Sequence, residues 1–160
     1  MKKVLLSMLL AFMGVTGAFA QFEAGKMYLG ADLQGIGLSY SEYNKFHIGV
    51  DGHAGYMVED NWMLLADVGF NYEKSDAQQV TLGGAGRFYF QQNGIFLQLG
   101  AHYLHEAKSF NDFIITPEVG YCFFLNGHIA IEPSVYWDMS ITNFSRKSKF
   151  GLKVGLGWYF

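Results

Sequence analysis

The sequence predicts an all-β chain of eight antiparallel strands closed into an up-and-down transmembrane barrel. Three observations carry that prediction. Hydrophobic residues make up 51% of the 160 residues and charged ones only 16%, against the roughly 25% charge usual in soluble domains. Yet no apolar run after residue 20 reaches the ~20 residues of a membrane helix. Apolar residues instead alternate with small or polar ones from end to end, which is the period of a strand.

The third observation comes from sorting charges by face. The apolar face of strands two to eight holds no Asp, Glu, Lys or Arg. The opposite face carries Asp51, Asp67, Arg87, Glu106, Glu118, Glu132, Asp138, Lys149 and Lys153. It is also rich in glycine, as a narrow interior requires. A soluble barrel does the reverse, burying its apolar face and wetting the charged one. An uninterrupted apolar exterior is what lipid demands.

The elements follow in order. Lys2 and Lys3 form a positive start, and residues 4–15 are almost wholly apolar. Ala18 and Ala20 flank Phe19 in a small-x-small cleavage pattern, so residues 1–20 read as a signal peptide and 21–160 as the barrel domain. The first strand, near 27–40, runs Met27, Leu29, Ala31, Leu33 and then shifts parity to Ile36, Leu38 and Tyr40. Gly35 and Gly37 permit a bulge there. The second places Phe46, Ile48, Val50, Ala54, Tyr56 and Val58 on one face. The third does so with Trp62, Leu64, Ala66, Val68, Phe70 and Tyr72. Strands near 80–90, 95–106, 113–124, 129–139 and 149–160 complete the set.

Connections alternate in kind. Glu59-Asp60-Asn61, residues 91–94 and residues 125–128 are short, two of them with an Asn-Gly turn signal. Residues 41–45, 73–79, 107–112 and 140–148 are mostly longer, and polar. Short periplasmic turns, longer external loops and both termini in the periplasm fit an even strand number. Pro117 and Pro133 fall inside strands, where each should interrupt pairing. Hairpins 53–67 and 118–132 also align over a separation of 65 residues, equating His53 with Glu118 and Asp67 with Glu132.

Aromatics gather near the strand ends of the outward face. Tyr56, Trp62 and Trp158 lie toward one rim, and Tyr103 and Trp137 toward the other, as interfacial girdles. At the C-terminus Leu152, Val154, Leu156, Trp158 and Phe160 alternate to a terminal aromatic.

Eight strands leave an interior filled by side chains, and charges there must be paired or hydrated. From strand heights Arg87 is expected to meet Glu132 or Glu118, and Lys153 to meet Glu118 or Asp51. With Asp67 these make an ionic network closing the lumen. His53, Asp67 and His102 share the inner face, but their spacing selects no metal. His102 and His105 fall on opposite faces with no serine beside either, so no catalytic residue is assigned. Cys122, the one cysteine, points inward as a small buried hydrophobe. No cofactor is implied, and a net charge of −3 without a basic patch excludes nucleic acid.

The alternating C-terminal strand looks like the signal read by the β-barrel assembly machinery. With the signal peptide and eight strands, the chain resembles the small OmpA/OmpX-like barrels. Gly55-Tyr56-Met57-Val58-Glu59-Asp60-Asn61, Arg87-Phe88-Tyr89-Phe90 and Pro117-Glu118-Val119-Gly120-Tyr121 are similar to the outer-membrane β-barrel domain of Bacteroidota. The resemblance implies a monomer in the outer membrane of a Gram-negative bacterium, in contact with lipid and lipopolysaccharide, with a structural, envelope-integrity role and no catalysis. The alternatives are a surface-binding barrel acting through its external loops, a narrow pore, or a lipid-modifying barrel enzyme.

Overall fold

The computed structural model describes residues 22–34, 47–73, 77–90, 94–106, 110–142 and 148–160. In chain order the strands are β1 (Met27–Gln34), β2 (His47–Glu59), β3 (Trp62–Glu73), β4 (Ala77–Tyr89), β5 (Ile95–Glu106) and β6 (Phe110–Tyr121). They continue with β7 (Phe123–Phe124), β8 (Ile129–Ser140) and β9 (Lys149–Tyr159). Hydrogen-bonded neighbours run β6-β5-β4-β3-β2-β1-β9-β8-β7, and β6 also pairs with β8, which closes the sheet. All pairs are antiparallel. The two-residue β7 carries the line of β6 past Cys122, so the nine strands form eight staves. Where the first and last strands meet, Met27 donates to the Phe160 carbonyl at 2.8 Å and Phe160 donates back at 3.0 Å.

Two strands begin earlier than the apolar pattern indicated. β4 starts at Ala77 rather than near 80, and β6 at Phe110 rather than near 113. The ladder is a backbone property, so it runs on through Gln78, Gln79 and Asn111 after apolar alternation has stopped. The parity shift at Gly35 and Gly37, with Tyr40 and Phe46 beyond it, lies outside the described residues. So do Ala18 and Ala20. Between β2 and β3 the chain turns through Asp60 and Asn61, where Asn61 takes φ 65, a conformation asparagine tolerates better than most.

The two hairpins thought to align do not share a register. His53 sits directly across from Asp67, whereas Glu118 sits across from Tyr136. The turn 125–128 is longer than the turn at 60–61, and that slides Glu132 away from Glu118. Between β6 and β8 the pairing skips Thr116 and Pro117, resumes at Glu118, and skips again before Phe123 pairs with Ile131. Each gap falls at a proline position, where the ring leaves no N–H for the ladder.

Among the described charges of the staves only Glu59, past the register shift at the turn end of β2, is exposed. Leu82 and Phe70 on the outward face are 63% and 62% exposed, while inward Arg87 and Lys153 are 1% and 6% exposed. The outward row of β9, Phe150, Leu152, Val154, Leu156 and Trp158, is exposed throughout, as is Phe160 beyond it. Tyr56, Trp62, Tyr103, Trp137 and Trp158 all stand on this outer face. Monomeric soluble proteins rarely expose contiguous apolar patches beyond a few hundred Å². This belt runs round the whole barrel.

Candidate functional site

Among the described residues the interior is the only place where the strands converge charged side chains, and it is layered along the barrel axis. At the end where β1 begins and β9 ends, Phe22, Met57, Met63, Tyr89, Phe96, Cys122, Ala130 and Tyr159 pack as one buried cluster. Phe22 precedes β1 and turns back into the mouth. Its ring stacks on Tyr89 at 4.0 Å and meets Tyr159 edge-on at 6.0 Å. Its carbonyl accepts from the Asn61 amide at 2.8 Å, and Gly25 donates to Met57 at 2.8 Å. Ala24 donates to the Asp60 carboxylate at 2.9 Å. The segment is therefore fastened by backbone as well as by its ring.

Above this stopper sits Arg87. Its Nη1 donates to Glu132 Oε2 at 2.8 Å and its Nε to Gln98 Oε1 at 2.6 Å. The guanidinium also lies over the Phe96 ring, 4.2 Å from its centroid, a favourable place for a delocalised cation. Tyr28 and Tyr159 donate to the two oxygens of Glu132 at 2.9 and 2.6 Å. Glu132 thus accepts from three strong donors at one depth, and Cys122 Sγ approaches it at 3.5 Å.

Midway, Lys153 Nζ lies 2.8 Å from both Glu118 Oε2 and Asp32 Oδ2. Gln98 joins the two centres by donating from Nε2 to Glu118 Oε2 at 3.2 Å. Toward the loop end, His53 bridges two carboxylates, with Nε2 2.9 Å from Asp32 and Nδ1 2.6 Å from Asp67. His102 Nε2 reaches the other oxygen of Asp67 at 3.2 Å. Thr116 stands 3.4 Å from His102 Nδ1 and donates to Asp138 at 2.7 Å. Contacts therefore run unbroken from Tyr159 to Asp138.

Glycine makes room for these groups. A Cβ at Gly155 would strike the Asp32 carboxylate, at Gly69 that of Asp51, and at Gly157 both Glu132 and Tyr28. Ring edges of His102 occupy the space over Gly83 and Gly100, and Tyr136 that over Gly151. Asp32, Asp51, Glu132, His102 and Tyr136 each lie over the bare backbone of a neighbouring strand.

Of the residues singled out by sequence, Arg87 and Glu132 meet, and Lys153 reaches Glu118 and, in addition, Asp32. Asp51 is buried on the same wall, and Asp67 binds both histidines. Sequence reasoning missed five participants, among them Thr116 on the inward parity of β6. Gln98 is directly opposite Arg87 in the β4–β5 register, so counting back from that turn would have found it. Tyr28 and Tyr159 stand on the inward parity of their strands and are cross-strand partners. Phe22 lies before any periodic segment, and nothing in the pattern marks it.

Thr116, His102 and Asp67 resemble a nucleophile, base and orienting acid in their order. The Thr116 proton, however, goes to Asp138, so His102 has no hydroxyl proton to take. Both ring nitrogens of His53 already face carboxylates, and among the described residues no group of His, Cys, Asp or Glu has the form of a metal site.

No family model matches the chain, and no curated protein sequence does. Solved structures do. The N-terminal β-barrel domain of Pseudomonas aeruginosa OprF superimposes with a TM-score of 0.66 at 11% identity, over 86% of this chain and 98% of that one. Neisserial surface protein A gives 0.61 at 12% identity, over 84% and 96%. A de novo designed transmembrane β-barrel gives 0.57 at 14% identity, over 86% and 98%. At these identities the likeness is one of fold.

Proposed function

We propose that this chain is an integral outer-membrane barrel whose role is structural, supporting the cell envelope without catalysis. The observation that carries the reading is the inversion of faces, with exposed leucine and phenylalanine outside and Arg87, Lys153, Glu118 and Glu132 buried within. Water would penalise such an exterior at about 25 cal/mol for each Å², whereas a bilayer accepts it. A closed barrel also leaves no sheet edge unpaired in lipid. Its neighbours in structure space, which include a surface protein and a barrel designed to span membranes, agree with that setting.

In this reading the short turns and both termini lie in the periplasm. Phe22 and the aromatic cluster stop that mouth, and the run from Glu132 to Asp138 fills the lumen with paired charge in place of an apolar core. Leu152, Val154, Leu156, Trp158 and Phe160 serve the assembly machinery during insertion, and the barrel works as a monomer. Kinship with the Bacteroidota barrel domain belongs to the same proposal and rests on the three segments that resemble it.

Outer-membrane fractionation followed by gel electrophoresis tests the reading. The protein should sediment with outer membrane and migrate faster unheated than boiled. In planar bilayers it should show no stable conductance. A soluble protein, or a large steady current, would overturn it.

A further inference from the structure

The outward face is not smooth. Following the cross-strand registers, one row of side chains runs Trp62, Phe88, Leu97, Val119 and Val135, each directly opposite the next. The neighbouring row runs from Gly86 to Leu99 to Pro117, then on through Trp137, which faces Phe150. Between these rows lies a groove of about 670 Å³ lined by both. It crosses the strands rather than following them, from β3 to β9 over six staves. At the ≈4.8 Å spacing of neighbouring strands it is about 24 Å long.

Residue size explains the trough. Gly86 has open space where a side chain would stand, Pro117 is short and flat, and Val119 and Val135 are small. Trp62 with Phe88, 5.0 Å apart, raises one end, and Trp137 with Phe150 raises the other. Its walls are apolar, and between the rows Gln98, Glu118 and Tyr136 turn their side chains inward, which leaves a floor one residue row wide.

We propose that this groove is a binding site for one acyl chain of a membrane lipid, which lies across the strands between the two aromatic ends. The proposal rests on the reading that this face meets the bilayer. The shape favours a linear chain over a second barrel. The convex face of a second barrel would meet this convex face along a line and could not enter a trough one residue row wide. Ordinary lipid contact with a barrel is transient and unselective, whereas a trough of this length favours a long extended chain over a short one.

The three tryptophans supply the test. Trp62 and Trp137 line the groove, and Trp158 stands elsewhere on the outward face. The barrel, carrying one tryptophan at a time with the others changed to Phe, is folded in short-chain octyl glucoside micelles. It is then titrated with phosphatidylcholine brominated in its acyl chains. Quenching of Trp62 and Trp137 should saturate at one lipid per barrel, while Trp158 should follow the lipid-to-detergent ratio without saturating. Gly86→Leu, which enters open space and so leaves the barrel intact, should weaken the saturating phase at least tenfold and leave Trp158 unchanged.

The site is overturned if all three tryptophans follow the same unsaturating curve. It is equally overturned if Gly86→Leu changes nothing, or if Trp62 and Trp137 stay dark to bromine while the barrel runs as a dimer. Absence of quenching at Trp158 as well would instead reject the lipid-facing reading from which the site follows.

Discussion

Replacing Glu132 with Leu tests whether the interior is held by matched charge. The substitution leaves the Arg87 guanidinium, 1% exposed, without its carboxylate. Breaking a buried pair in this way costs about 3–5 kcal/mol. Tyr28 and Tyr159 also lose an acceptor, and an unmade buried hydrogen bond costs roughly 1–3 kcal/mol. Tyr159 can fall back on Tyr89, whose hydroxyl is 3.1 Å away, so the expected loss is about 4 kcal/mol rather than the sum. Arg87→Met leaves Glu132 with both tyrosine donors and should cost about 3 kcal/mol. The double variant replaces the pair by apolar volume and removes both unmatched charges. Its loss should stay near that of Arg87→Met alone, giving a coupling of about 3 kcal/mol or more. Equilibrium urea unfolding in lipid vesicles, followed by tryptophan fluorescence and by the mobility of unheated protein, measures all three. Losses that add to within about 0.5 kcal/mol would mean that the two side chains act independently, contrary to their 2.8 Å contact.

Three further outcomes follow from the same interior. Lys153→Met strips Asp32 and Glu118 of their shared cation, so unfolding in vesicles should show a loss of about 3–5 kcal/mol. Gly157→Ala drives a methyl into Glu132 and Tyr28 and should cost about 1–3 kcal/mol by the same assay, whereas Gly86→Ala, which meets open space, should change stability by less than about 0.5 kcal/mol. Cys122 should resist maleimide in the folded barrel, and Phe22→Ala should raise its labelling rate about tenfold or more, since that ring caps the cluster in which the thiol is buried. That substitution removes a buried aromatic ring and should also cost about 3 kcal/mol.

How much of this was legible in the sequence depended on whether a feature is periodic. Inward and outward faces alternate strictly, so Asp67, Arg87, Glu118, Glu132 and Lys153 could be assigned to the interior from parity alone. The Arg87–Glu132 contact could be approached from heights above the turns, because antiparallel strands carry depth over from one stave to the next. Its second layer could not. Glu132 accepts from two tyrosines that look like ordinary strand aromatics, and Lys153 takes Asp32 because β1 pairs with β9, a closure that joins the first strand to the last.

The failed alignment of the two hairpins has a similar origin. A longer turn slides one strand along the other without altering its alternation, so register shifts of even length leave no trace in the pattern. Strand ends were misjudged where polar residues continue the ladder. Phe22 was invisible because a single aromatic outside any strand carries no period.

Sidedness is the claim on which everything else depends, and β9 measures it most directly. Single cysteines at the outward positions 150, 152, 154 and 156, introduced with Cys122→Ser and carrying spin labels in lipid vesicles, report collisions with oxygen, which concentrates in the bilayer, and with a water-soluble nickel chelate. Labels at positions 152, 154 and 156 should collide freely with oxygen and hardly at all with nickel. Oxygen collisions should be most frequent, and nickel collisions rarest, at position 154, midway along β9, and should reverse toward position 150 at its end. Free nickel collisions at 152, 154 and 156 would place that face in water and contradict a membrane barrel.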